Sequence, residues 1–155
     1  MSSHVSIIEY RDEHHEVFRQ LNLEWLDKYN LTEEPDLMVL NDPRGTILNH
    51  DGFIWLAVID SEIVGTAALI KEHAEIYELG KMSVAPAWRG KGISKLLIET
   101  CLEKARELKA WKIQLFSNHQ LKAALKLYEQ YGFQYVVVKD SPFETADIKM
   151  ELQLA

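Results

Sequence analysis

Met82-Ser-Val-Ala-Pro-Ala-Trp-Arg-Gly-Lys-Gly-Ile-Ser94 runs from an extended apolar segment, through a turn holding two glycines, into an amphipathic helix. Gly90 and Gly92 let the backbone turn tightly with its N–H groups exposed. The helix that follows leaves its first-turn amides unpaired and directs the positive end of its dipole outward. Such a turn is an anion cradle, suited to a pyrophosphate. Spacing separates three loops of this design. A P-loop needs Gly, four residues, then Gly-Lys-Ser/Thr, whereas Gly90-Lys91 is followed by Gly92 and has no matching upstream glycine. A dinucleotide fingerprint needs a third glycine where Lys95 stands, and no acidic-ended second strand follows. What remains is Arg89-x-x-Gly92-x-Ser94. Arg89, Lys91 and Lys95 cluster there in an otherwise acidic chain; they are either a solvated helix start or the counterpart of an anionic ligand. Because cations at a helix N-terminus oppose its dipole, the ligand is the better explanation.

Downstream, Lys112-Ile-Gln-Leu-Phe-Ser-Asn118 reads as a strand, and Gln120 to Tyr131 as a helix carrying Ala124, Leu127 and Tyr128 ahead of Gly132-Phe133. The two segments, Arg-x-x-Gly-x-small and then Ala…Leu-Tyr…Gly-Phe about thirty residues later, resemble the signature segments of the Gcn5-related N-acetyltransferase (GNAT) superfamily. The resemblance extends from about Val5 to Leu154. It implies an α/β (α+β) fold with a mixed, mostly antiparallel central sheet of about seven strands flanked by helices. It also implies acetyl-CoA as co-substrate, with Arg89, Gly90, Lys91, Gly92, Ile93, Ser94 and Lys95 at the pyrophosphate. Met82 and Val84 then offer backbone hydrogen bonds to the pantetheine arm, which lies where the strand ahead of the loop splays from the strand starting at Lys112. Asn118 lies at the arm's other side. Ser94 departs from the usual glycine or alanine, yet it is small enough for close phosphate approach.

Acetyl transfer to an amine needs a neutral nitrogen, a polarised thioester carbonyl and a proton for the leaving thiolate. Glu78 stands eleven positions before Arg89, the offset at which histone-type members of the superfamily place their general-base glutamate. Strand alternation puts Glu78 on the side of Gly80, Met82 and Val84 unless a bulge intervenes. The other reading of Glu78 is a strand carboxylate, solvated or paired with Lys81 or Lys71. Tyr128 is the candidate acid, as the superfamily tyrosine in this motif is; otherwise it is a packed aromatic. Trp25 and Tyr29 are candidates for the wall of the acceptor site, and Asp147 for holding a cationic or polar group of the acceptor; all three are also ordinary core and surface types. Leu21–Trp25, Tyr77–Met82 and Ala146–Met150 are similar to acetyltransferase domains fused to MarR-type regulators. The chain is expected to leave no room for the DNA-binding half of such a fusion, and the resemblance favours a small-molecule amine acceptor; a protein or peptide N-acetyltransferase and a noncatalytic acyl-CoA-binding sensor module are the alternatives.

At 155 residues and 47% apolar content, the length fits one domain, 1–155. A net charge of −7 argues against nonspecific binding to nucleic acid or to an anionic membrane. Cys101 is the only cysteine, which excludes a disulfide within the chain, and the six histidines show no metal spacing, so no metal is expected. The first residues lack an apolar signal core and no apolar run approaches the ~20 residues of a membrane span, so the expected location is cytoplasmic.

The pattern predicts a strand at Val5–Glu9, then a helix from the spacing of Val17, Phe18, Leu21, Trp25, Leu26 and Tyr29. A short helix at Asp36–Leu40 follows, broken at Asn41-Asp-Pro43. Phe53–Ile59 and Ile63–Ile70 form an antiparallel hairpin about Asp60-Ser-Glu62. Strand Ile76–Val84 precedes the loop, and helix Ile93–Leu108 follows with Leu96, Leu97, Cys101, Ala105 and Leu108 on its apolar face. Strand 112–117, helix 120–131 and strands 133–139 and 146–153 complete an order that is not alternating βα, so a doubly wound sheet is disfavoured. Tyr135-Val-Val-Val138 is either core or a surface through which a homodimer forms.

Overall fold

The computed structural model of the chain describes residues 4–139 and 141–154. Among these, the strands are β1 (Ser6–Glu9), β2 (Phe53–Ile59), β3 (Glu62–His73), β4 (Ile76–Val84), β5 (Lys112–Ser117), β6 (Gln134–Val136) and β7 (Ile148–Gln153). They form one seven-stranded sheet in the order β1-β2-β3-β4-β5-β7-β6. Only β4 and β5 are parallel neighbours. This is the mixed, mostly antiparallel sheet that the sequence implied.

The helices are α1 (His15–Lys28), α2 (Glu34–Asn41), the one-turn α3 (Pro43–Thr46), α4 (Ile93–Glu107) and α5 (Lys122–Gln130). Phe18, Leu26, Leu40 and Ile47 bring the first three onto one face of the sheet, against Ile54 and Ala68. On the other face Leu97, Cys101, Ala105, Leu125 and Tyr128 pack on Ala57, Leu69, Leu79 and Ile113. Each fully buried Leu or Ile contributes about 1.5–3 kcal/mol, so the sheet is held from both sides. Asn41-Asp-Pro43 does end α2, and Pro43 then opens α3, where its fixed φ and missing N–H suit a first helical position. The β2–β3 hairpin turns on Asp60 and Ser61, both left-handed (φ 49° and 67°), a turn whose twist matches the strands it joins.

Three expectations shift. The buried stripe of α4 is Ile93, Leu97, Ile98, Cys101, Leu102 and Ala105, while Leu96 and Leu108 face outward. The stretch predicted as strand 133–139 pairs only over Gln134–Val136. As β6 ends the sheet, Tyr135 and Val137 are exposed, by 50% and 73%, and are not core. No helix among the described residues is long and apolar enough to cross a membrane.

Two irregularities build the site. Pairing of β4 with β5 is confined to Ile76–Glu78 against Lys112–Gln114, and beyond it the strands separate. Pairing of β3 with β4 passes from Ala68↔Gly80 to Thr66↔Ser83, so Lys81 and Met82 together oppose Ala67. That is a β-bulge, and Lys81 takes a left-handed φ of 47° to make it. Polar ties from α1 hold the bulge: Asn22 Nδ2 donates to Thr66 Oγ1 (3.1 Å), which donates to the Lys81 carbonyl (2.8 Å). Ser83 Oγ donates to the Leu21 carbonyl at 2.7 Å.

Candidate active site

The bulge resolves where Glu78 points. Glu78 and Gly80 share the face covered by α1 and α2, whereas Met82 and Val84, past the bulge, pack into the α4 core with Tyr77 and Leu79. Unbroken alternation, which would have kept Glu78 with Met82 and Val84, does not hold. A Cβ on Gly80 would sit 3.3 Å from Glu78 Oε2, so the missing side chain leaves the carboxyl its room. Glu78 opens onto a cavity of about 80 Å³ where β4 leaves β5. Trp25, Leu26, Leu31, Asp36, Lys81, Phe116, Asn118, Phe143 and Thr145 are among the residues that line it.

Burial pushes the Glu78 carboxyl up to about 8; the Glu72 carboxyl within hydrogen-bond reach and the Asp36 charge add to the rise, and Lys81 opposes it. Lys81 Nζ lies 2.6 Å from Asp36 Oδ1, both side chains being more than nine-tenths buried. The other Asp36 oxygen accepts from the Glu33 amide at 2.9 Å. Lys81 is therefore not the partner of Glu78 but of Asp36, and Lys71 pairs with Asp51.

A clamp joins the start of α2 to residues 144–145 beside the cavity. Glu33 Oε1 accepts from the Glu144 amide (2.7 Å), and Oε2 from the amide (2.9 Å) and hydroxyl of Thr145. Desolvation works to raise the Glu33 carboxyl, but these three donors prevail and hold it below its ordinary value. Asn118 secures the same segment, donating from Nδ2 to the Thr145 carbonyl (2.7 Å) while Oδ1 accepts from the Gln120 amide (3.0 Å).

Trp25 lines the cavity, and its Nε1 is buried with no hydrogen-bond partner among the described residues. Tyr29 and Asp147 do not line it. Tyr29 caps the end of α1, past its last turn, with Lys28 over its ring. Asp147, half exposed, takes the amide of His119 at 2.9 Å and faces its Nδ1, and these hydrogen bonds hold the carboxylate below its ordinary value. Tyr128 is buried on the α4 face, its ring 5.9 Å from Phe133, and burial followed by the neighbouring Cys101 pushes its phenol up. It is thus on the opposite face of the sheet from Glu78, with the β4–β5 gap between the two faces.

The loop has the geometry its glycines suggested. Gly90 and Gly92 both have left-handed φ (76° and 80°), and no atom lies within 4 Å of where either Cβ would be. The first α4 bond runs from Leu96 N to the Gly92 carbonyl, leaving the amides of Ile93, Ser94 and Lys95 ahead of it. The Ile93 side chain is core and does not itself face a ligand at the loop. Arg89, Lys91 and Lys95 are exposed around the turn, and Arg89 Nε donates to the Val84 carbonyl at 3.0 Å. Of the backbone groups of Val84 offered to a cofactor arm, the carbonyl thus has one partner within the chain. Residues that the sequence reading passed over are Glu33, Asp36 and Lys81 as a connected set. The one signal for them was Gly80, since a glycine inside a strand marks a bulge or a close approach.

Residues 50–135 match the model of the acetyltransferase (GNAT) domain. The uncharacterized N-acetyltransferase YjgM of Escherichia coli K12 is 33% identical over 127 residues, covering 77% of this chain and 74% of that protein. The N-acetylaspartate synthetase of Xenopus tropicalis is 41% identical over 85 residues, 54% of this chain, which spans only 31% of that relative. Among solved structures, the PaiA N-acetyltransferase of Thermoplasma acidophilum in complex with coenzyme A superposes with a TM-score of 0.76 at 20% identity, over 99% of this chain and 100% of that one.

Proposed function

We propose, for a chain that belongs to the acetyltransferase (GNAT) family, direct transfer of the acetyl group of acetyl-CoA to a primary amine of a small molecule or amino acid. Acetyl-CoA-dependent acetyltransfer is the activity of the family. The acceptor class rests on one observation: Glu33 ties the start of α2 to residues 144–145 beside a cavity of about 80 Å³ that Asp36 and Thr145 line. An acceptor lying extended across the sheet, as a peptide would, meets that tie. The likeness to an N-acetylaspartate synthetase supports an amino-acid acceptor further.

In this reading the amides of Ile93, Ser94 and Lys95, which precede the first helix hydrogen bond, take the pyrophosphate with the cations around them. The β4–β5 gap receives the pantetheine arm and brings the thioester to the Glu78 end of the cavity. Glu78 removes a proton from the acceptor ammonium, directly or through one water, so that the nitrogen can attack the carbonyl. As the C–N bond forms and the C–S bond breaks, Tyr128, whose raised phenol keeps its proton at neutral pH, supplies that proton to the departing sulfur, and the second proton that the nitrogen sheds in becoming an amide restores the phenol. The enzyme acts in the cytoplasm, and the exposed edge strand β6 is the surface through which a homodimer forms. A protein or peptide N-acetyltransferase is the second reading, and the Glu33 tie weighs against it. A thiol-release screen of amino acids, polyamines, aminoglycosides and peptides with acetyl-CoA tests the choice. Small amines should be turned over by the native enzyme, with peptides gaining only in Glu33→Ala; a native preference for peptides would overturn it.

A further inference from the structure

The cavity beside Glu78 contains more hydrogen-bond donors than the protein itself uses. Trp25 Nε1 is buried and lacks an acceptor. Lys81 Nζ has three N–H donors, and among the described residues its hydrogen-bond acceptor is Asp36 Oδ1, with the Phe143 ring 5.3 Å away on another side. Both side chains line the same space. A buried donor left unmatched is unfavourable and is rarely retained unless a ligand, a water or an ion completes it.

The Asp36 carboxylate, by contrast, has a donor on each oxygen. Asp36 receives Lys81 on one oxygen and the Glu33 amide on the other. Asp147, the carboxylate that could have received a second cationic group, lies outside. Of the two carboxylates among the described residues lining the cavity, Glu78 is the one without a salt bridge, which leaves it to meet an ammonium and leaves Lys81 and Trp25 to meet oxygens. By the rule that one water needs about 10–15 Å³, a cavity of about 80 Å³ holds roughly five to eight non-hydrogen atoms, the size of a small amino acid.

We propose that this cavity selects acceptors carrying a carboxylate beside the amine, with Lys81 Nζ and Trp25 Nε1 holding the carboxylate oxygens while the amine faces Glu78. The assignment rests on the acetyltransferase reading and narrows it from amines in general to amino-carboxylic acids. It also gives the Lys81–Asp36 pair a task. Asp36 fixes the direction of the ammonium and offsets its charge when the cavity is empty.

Matched acceptors test this: glycine, L-alanine and L-serine against ethanolamine, L-alaninol and serinol, pairs that keep the amine and exchange the carboxylate for an alcohol. Thiol release from acetyl-CoA should favour each acid over its alcohol at least tenfold in kcat/KM, mainly through KM. Trp25→Phe keeps the ring and deletes the N–H, and should reduce that ratio severalfold; Lys81→Gln should reduce it further. Equal use of acid and alcohol by the native enzyme would overturn the assignment, as would an unchanged ratio in Trp25→Phe. Should no acceptor be turned over, the thermal shift with CoA separates the two levels. A CoA shift without turnover of any amino acid refutes the carboxylate site, and no CoA shift removes the acetyltransferase reading beneath it.

Discussion

Glu78→Gln is the substitution that most directly probes the chemistry. It keeps the shape of the side chain beside Gly80 and removes its basicity. With the carboxyl raised to about 8 by burial, by Glu72 and by Asp36, only about a tenth of the native enzyme carries the ionised base at pH 7. The sign follows from the direction of the shift. A base that loses its proton near 8 gives kcat/KM that climbs roughly tenfold per pH unit below that value and levels above it. General base catalysis is worth about 10²–10⁴-fold, and because so little base is ionised at pH 7 the variant's deficit there should fall at the low end, about 10². Above pH 9, where more of the acceptor amine is already neutral, the deficit should shrink. Initial rates of thiol release across pH 6–10, with CoA affinity measured alongside, read all three features. The same shift also acts on stability: the folded state keeps a proton that the unfolded chain releases at the ordinary carboxylate value. Apo stability should therefore decline as pH rises between that value and about 8, and this decline should vanish in the variant. A Glu78→Gln enzyme that retains the native limb near pH 8 and native rates would assign proton removal to another group and leave Glu78 a buried strand carboxylate.

Two further substitutions address the cofactor side. Gly92 has φ 80° at the start of α4, so Gly92→Val strains the turn and obstructs its amides without meeting any packed atom. CoA at 100-fold over its dissociation constant should stabilise the native protein by about 2.7 kcal/mol, and the variant should lose that thermal shift while its own unfolding stays cooperative; an undiminished shift would move the ligand elsewhere. Tyr128→Phe preserves the contact with Phe133 and deletes the proton, so turnover should drop by roughly 10²-fold with CoA affinity unchanged. Native turnover in Tyr128→Phe would make it a packing residue only.

Local chemistry determined much of this protein from sequence alone. Two glycines ahead of an amphipathic helix can do little but turn left-handed and expose amides, and both do. The strands from Phe53 to Val84, the helix from Ile93 and the strand from Lys112 follow from period and turn residues acting within a few positions. Tertiary structure decided what depends on contacts distant in sequence. Which face Glu78 occupies turned on a one-residue slip between β3 and β4, stabilised by Asn22 and Thr66, which are 44 residues apart. The wall of the cavity required Asp36 to meet Lys81 across 45 residues and Glu33 to meet Thr145 across 112. Period and propensity carry no record of such pairs. A strand's alternation is a local rule that one extra residue reverses, and whether that residue is accommodated depends on partners that only the folded chain brings together.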